Sequence, residues 1–167
     1  PVNDLILVPD ASTSPTTMGV YRPSVTNTTV ANLHGYQSPL GVLSLPADAA
    51  VWTNQSDETY VFVTDSNLKR IVVFRMGGEG ETPTNGGNGD NGLEPEHPFA
   101  FITDFETVPD TGAPMALAAD NNGGLYYTLF STPDPNSTGC YYIADPLNAN
   151  AVDNHILVDD GSDTEVP

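Results

Sequence analysis

Positive charge is nearly missing from this chain. Its 167 residues include four basic side chains, Arg22, Lys69, Arg70 and Arg75, against twenty-two acidic ones, a formal net charge of −18. Such a field repels nucleic-acid phosphates and anionic lipid headgroups, so neither is expected as a partner. Cysteine occurs once, at Cys140, which excludes a disulfide within the chain. No apolar run approaches the ~20 residues of a membrane-spanning helix, so membrane insertion by that route is not expected. Helical periodicity is nearly absent too. The three histidines, His34, His97 and His155, fall at no metal-ligand spacing. There is no G-x-S-x-G elbow, no phosphate-cradling glycine loop and no dinucleotide fingerprint, so no residue is assigned a catalytic role.

Turn formers and β formers are plentiful. Fifteen glycines and fifteen prolines favour many short strands over long helices. A 38% hydrophobic content with thirteen Phe and Tyr is enough to build a core. Short β-rich runs repeatedly end in Asp: Leu5–Asp10, Tyr60–Asp65, Tyr141–Asp145 and Ile156–Asp160. Val, Ile, Tyr and Phe suit a pleated, half-buried surface, and an Asp just past a strand bonds backbone amides two residues on and opens the turn. Asp outnumbers Glu fifteen to seven. Three explanations fit that acidity: a solvated surface suited to solubility or high salt, calcium binding, and a face made for a basic partner.

The runs follow a repeating order of four strands. One round is 30–36, 49–52, 60–64 and 70–75; a second is 99–104, 115–119, 125–130 and 140–144. Partial rounds stand at each end, with 5–8 and 18–21 before and 155–158 after. Asp10 and Asp65 are 55 residues apart, longer than the ~40–50 residues usual for a four-stranded repeat unit, so sizeable loops are expected. The reading is all-β, in units 1–24 (partial), 25–76 (complete), 99–146 (complete) and 147–167 (the start of another). Residues 77–98, rich in Gly, Asn and acidic side chains, form the loop between the two complete units. The chain opens at Pro1 and closes at Pro167 just after a strand-like run, and is expected to be an excerpt of one larger domain.

Two stretches carry a family resemblance. Val63–Phe74 has a strand ending in Asp, a tight polar turn, then Arg70-Ile71 leading the next strand. Ala113–Thr128 has Pro, a small-apolar strand ending in Asp, an Asn/Gly turn, then a Leu-Tyr strand. Together they cover about a fifth of the chain and are similar to repeats of the NHL type, found in six-bladed β-propellers. The chain departs from that repeat in having Lys69 before the Arg, and in lacking the Arg in the second stretch. The resemblance implies β-propeller-type, four-stranded antiparallel blades, two complete and two partial. Ala47–Trp52 is similar to the start of a phytase blade, and lactonase-like hydrolases are related propellers. A phosphate-rich substrate, however, needs more than four basic side chains.

Physical reasoning assigns structural parts as well. Small residues at Ala116–Ala119 let neighbouring sheets approach, Asn121–Gly124 supplies the positive φ of a tight hairpin, and Arg70 bonds turn carbonyls or an Asp. Asn88 and Asp90, in a run of oxygen side chains alternating with glycine, are the candidate ligands for calcium, the one cofactor left open. Asn27, Asn54 and Asn136 begin N-x-S/T sequons and are candidate glycosylation sites. Strand-terminal Asp65, Asp120 and Asp145 are turn formers that a central channel could also turn to metal binding. The functional expectation is an extracellular or cell-surface structural or binding module, with protein or glycan as partner or with self-assembly. The alternative is a calcium-dependent propeller hydrolase, lactonase-like before phytase-like, with catalytic groups partly outside these residues.

Overall fold

The computed structural model describes residues 6–10, 16–21, 29–33, 42–76, 99–107, 112–130, 139–148 and 154–159. Among them are eleven strands and no α-helix. They are β1 (Ile6–Asp10), β2 (Thr17–Tyr21), β3 (Thr29–Leu33), β4 (Pro46–Thr53), β5 (Thr59–Asp65), β6 (Arg70–Met76), β7 (Phe99–Glu106), β8 (Ala113–Ala119), β9 (Leu125–Phe130), β10 (Gly139–Ile143) and β11 (His155–Asp159). Every pairing is antiparallel between sequence neighbours. The result is a three-stranded sheet β1-β2-β3 and two four-stranded sheets, β4-β5-β6-β7 and β8-β9-β10-β11.

All the strands expected from sequence are present, but hydrogen bonding regroups them by one. The strand at 99–106 closes the sheet begun at 46, where the sequence order had placed it at the head of the next unit. Likewise β3 joins β1 and β2, and β11 joins β8–β10. The boundaries at 25–76 and 99–146 therefore do not coincide with sheets. The physical reason lies in loop closure, whose entropy grows only slowly with length. The intervening 77–98, itself outside the described residues, does not stop β7 from pairing with β6. The changes of sheet fall instead at β3/β4 and β7/β8, just before the alanine-rich strands. Small side chains let β4 and β8 lie against one another, and the Leu117 amide of β8 bonds Asp48 Oδ2 of β4 at 2.9 Å.

The central sheet is covered on both faces, and its two middle strands divide their residues by parity. Tyr60, Phe62, Ile71 and Val73 enter a cluster with Leu117, Leu125, Tyr127, Leu129, Tyr141 and Ile143 of the third sheet. Val61, Val63, Val72 and Phe74 enter a second cluster with Met18 and Leu43, against which Leu7 packs. β5 is buried at every position, which is why Tyr-Val-Phe-Val shows no polar alternation.

The two four-stranded sheets share a local construction. A bulge interrupts β4 between Pro46 and Ala49 and β8 between Pro114 and Leu117. Each bulge frees an amide that a threonine of the adjacent strand accepts: Asp48 N to Thr64 Oγ1 at 2.8 Å, Ala116 N to Thr128 Oγ1 at 3.2 Å. With Thr64 and Thr128 aligned, Asp65 corresponds to Leu129 and Arg70, its cross-strand partner, to Gly139.

Arg70 is fully buried. It donates from Nε and Nη2 to Asp65 Oδ2 at 3.2 and 3.1 Å, from Nη1 to Asp104 Oδ2 at 2.8 Å, and from Nη2 to the Val42 carbonyl at 3.0 Å. Asp65, also 0% exposed, accepts the amides of Ser44 and Leu45 at 3.0 Å each. The structural part expected of Arg70, bonding a turn carbonyl or an Asp, thus includes both. An unpaired buried charge is costly, so Arg70→Ala is expected to lower unfolding free energy by about 3–5 kcal/mol in urea titrations. An unchanged midpoint would refute that account.

His155 opens β11, with Nδ1 2.5 Å from the Tyr127 hydroxyl and its ring edge-on to Phe105 and Tyr127. Its Nε2 is buried and has no partner among the described residues. Burial holds its pKa below the usual histidine value. The unfolded chain therefore takes up the proton first. The stabilisation is complete above the unfolded value of about 6.5 and is lost as pH falls below it. Wild-type Tm is expected to fall relative to His155→Gln between about pH 7.5 and 5.5; parallel pH profiles would contradict this.

Candidate functional site

Two hairpin turns, β4–β5 and β8–β9, are built alike. In the first, Asn54 Oδ1 accepts the amides of Ser56 and Glu58, both at 2.9 Å. In the second, Asp120 Oδ1 accepts those of Asn122 and Gly124 at 2.7 and 2.9 Å. The backbone agrees: Asn54 N to Glu58 O at 2.9 Å matches Asp120 N to Gly124 O at 2.8 Å, and the next-to-last turn residue is left-handed in both, Asp57 at φ 60° and Gly123 at φ 91°. Asp120 thus makes the turn, as the sequence suggests. Burial works to raise its pKa, but the amides of Asn122 and Gly124 outweigh this and hold its carboxyl below the usual range.

The turns lie side by side. Gly123 rests on the indole of Trp52 so closely that an added Cβ would stand 2.6 Å from Cζ2. Glycine is therefore required there for both its φ and its proximity. Trp52 also stacks on Tyr60, with centroids 5.7 Å apart and planes 25° from parallel. Glu58 ties this corner together: Oε2 accepts Asn54 Nδ2 at 2.7 Å and the Tyr60 hydroxyl at 3.2 Å, and Oε1 pairs with Arg75 at 3.1 Å. The bonds from Asn54 and Arg75 hold the Glu58 pKa down.

Between the turns opens a cleft of about 440 Å³, lined by Trp52, Thr53, Asn54, Gln55 and Ser56 on one side and Asn121 and Asn122 on the other. Among the described residues its lining is amide, hydroxyl and indole, with no ionised side chain. The indole Nε1 is buried without a partner among the described residues.

The sequence-derived candidates distribute unevenly. Asn54 lines the cleft, held by Glu58. Asn27, Asn136, Asn88 and Asp90 lie outside the described residues. Asp65 and Asp120 sit at opposite ends of the sheets: Asp65 precedes Ser66, which bonds the Pro114 carbonyl at the start of β8, whereas Asp120 follows the end of β8. Asp145 is exposed in the turn after β10. No group of three or more His, Cys, Asp or Glu suited to a metal forms among the described residues. Cys140 is half-buried on β10. Sequence reasoning did not find the cleft. Its signal was the paired turn grammar, Asn54-x-x-Asp57-Glu58 and Asp120-x-x-Gly123-Gly124, following Thr53 and Ala119 at the same ends of β4 and β8.

No protein-family model, curated protein or solved structure matches the chain.

Gly123→Ala is expected to cost about 1–3 kcal/mol and to shift the emission of Trp52, the sole tryptophan. Thermal melts with fluorescence detection read both; an unaltered spectrum would mean the turns do not touch as described.

Proposed function

We propose that this chain is an extracellular binding and structural module on a β-propeller-type scaffold, and that the cleft between its turns takes a neutral, hydroxyl-rich ligand, a glycan. The observation that carries the reading is the uncharged lining of the cleft on a molecule of net charge −18. Amide and hydroxyl groups exchange hydrogen bonds with sugar hydroxyls without requiring charge on either side. A volume of about 440 Å³ is in the ~300–1,000 Å³ range of ligand pockets. The turns are rigid, pinned by Asn54 and Asp120, so little ordering entropy opposes binding. The propeller-type scaffold draws support from antiparallel four-stranded sheets stacked face to face, with alanine-rich β4 and β8 in contact. The calcium-dependent hydrolase alternative draws on no ligand cluster among the described residues. That alternative would draw its calcium from Asn88 and Asp90, which lie outside the described residues.

Asn54 also begins the sequon Asn54-Gln55-Ser56. Its Oδ1 and one Nδ2 proton are engaged in the turn, which leaves a second Nδ2 proton for a covalent sugar. Ser56→Ala removes the sequon and keeps the backbone amide that the turn uses.

Trp52 fluorescence titrated with neutral oligosaccharides tests the reading on Ser56→Ala protein, whose cleft carries no sugar of its own. Saturable binding is expected, weakened about tenfold by Asn122→Ala, the order of one hydrogen bond. Absence of any spectral response across neutral glycans would sink the proposal. Turnover of a ligand that stops on calcium chelation would move the assignment to the hydrolase.

A further inference from the structure

The second sheet shows one set of alternate residues to the sheet before it and the other set to the sheet after. Val61 and Val63 of β5 face the first sheet, whereas Phe62 on β5 and Ile71 and Val73 on β6 face the third. The Thr64–Thr128 correspondence carries this onto the third sheet. Leu125, Tyr127 and Leu129 are the backward-facing set and pack on the second sheet. Tyr126 takes the place of Phe62 and Tyr142, its cross-strand partner, that of Val73. These forward-facing residues are joined by Phe130 on β9 and by Ile156, opposite Tyr142 on β11.

In the second sheet the forward positions Phe62, Ile71 and Val73 are all 0% exposed. On the third sheet Tyr126, Phe130 and Ile156 are 38%, 55% and 58% exposed. The other end of the stack mirrors this. Asp10 ends β1 as Asp65 ends β5, so Ile6 and Val8 correspond to Val61 and Val63. Leu7 packs forward into the second sheet's cluster, and Ile6 and Val8 point backward, 51% and 41% exposed. One chain thus carries an open forward face at one end and an open backward face at the other. The forward-to-backward contact is already made inside the chain between its second and third sheets.

We propose that the forward face of the third sheet, centred on Tyr126, Tyr142 and Ile156, docks the Ile6–Val8 face of a second copy of this chain, head to tail. The contact is heterologous, so it closes into a ring or extends as a filament according to the rotation each step imposes. It continues an interface the molecule already uses, and contiguous exposed apolar surface of this kind marks association sites. The inference deepens the structural half of the function proposed above and rests on it. Because every copy is strongly acidic, repulsion opposes the contact, and salt that screens it strengthens assembly.

The test is the mass of the 167-residue chain by light scattering at rising concentration and salt, with Ile156→Lys and Val8→Glu variants checked for native fold by unfolding. Wild type is expected to exceed the 17.7 kDa of one chain, and more so at high salt. Each variant alone is expected to stay monomeric. A mixture of the two retains one intact forward and one intact backward face and is expected to stop at a one-to-one dimer. Wild type that remains monomeric at high salt, folded variants that assemble like wild type, or a mixture that fails to pair would each overturn the proposal. The Trp52 titration reads the cleft separately, so failure of assembly leaves glycan binding to stand or fall alone.

Discussion

Around the Arg70 guanidinium meet the segments that define the central sheet. Its charge is sealed from water, and desolvation of that size is recovered only when several well-aligned acceptors surround it. Asp65 and Asp104 supply two, from the neighbouring strands on either side, and the Val42 carbonyl supplies another from the segment leading into β4. Asp65 holds that same segment through the Ser44 and Leu45 amides. One side chain thereby fixes the β5–β6 register, the edge strand β7 and the entry to the opposite edge strand β4. Thr107, just past β7, closes the arrangement by bonding the carbonyl of Lys69, itself held at positive φ. The third sheet achieves the same strand order with Leu129 and Gly139 at the equivalent places, so the polar centre specifies geometry in one sheet and packing does so in the other.

Much of this was legible in the residues. The strands were visible because β-branched and aromatic runs punctuated by Asp leave few alternatives, and Asp120 to Gly124 announced its own turn. Arg70 was legible because a guanidinium at the head of a buried run in so acidic a chain needs an anionic partner close by. The grouping into sheets was not. A long glycine-rich insertion looks like a boundary, yet pairing depends on which strand edges are free rather than on how much chain lies between them. The cleft was hidden for a related reason. Each turn could be read locally, but their adjacency follows from the contact of β4 with β8, which no local pattern encodes.

The two faces of the middle strands explain an oddity of composition. β5 carries apolar side chains on successive residues, which suits a strand with neighbours on both sides. β9 reads Leu-Tyr-Tyr-Thr-Leu-Phe, with buried and open positions alternating. Two of its three open positions, Tyr126 and Phe130, are nonetheless aromatic, where a water-facing strand would carry polar groups. The residues of the third sheet are thus those of an interior surface.

The offset between sequence rounds and sheets bears on how such a chain grows. No backbone ladder crosses between β7 and β8. A gene segment running from the start of β4 to the end of β7 therefore encodes a sheet that keeps all its own hydrogen bonds, and its duplication in tandem adds a layer without rewriting the neighbours. A copy that began instead at the glycine-rich insertion would carry β7 away from β6 and leave both halves with a broken edge.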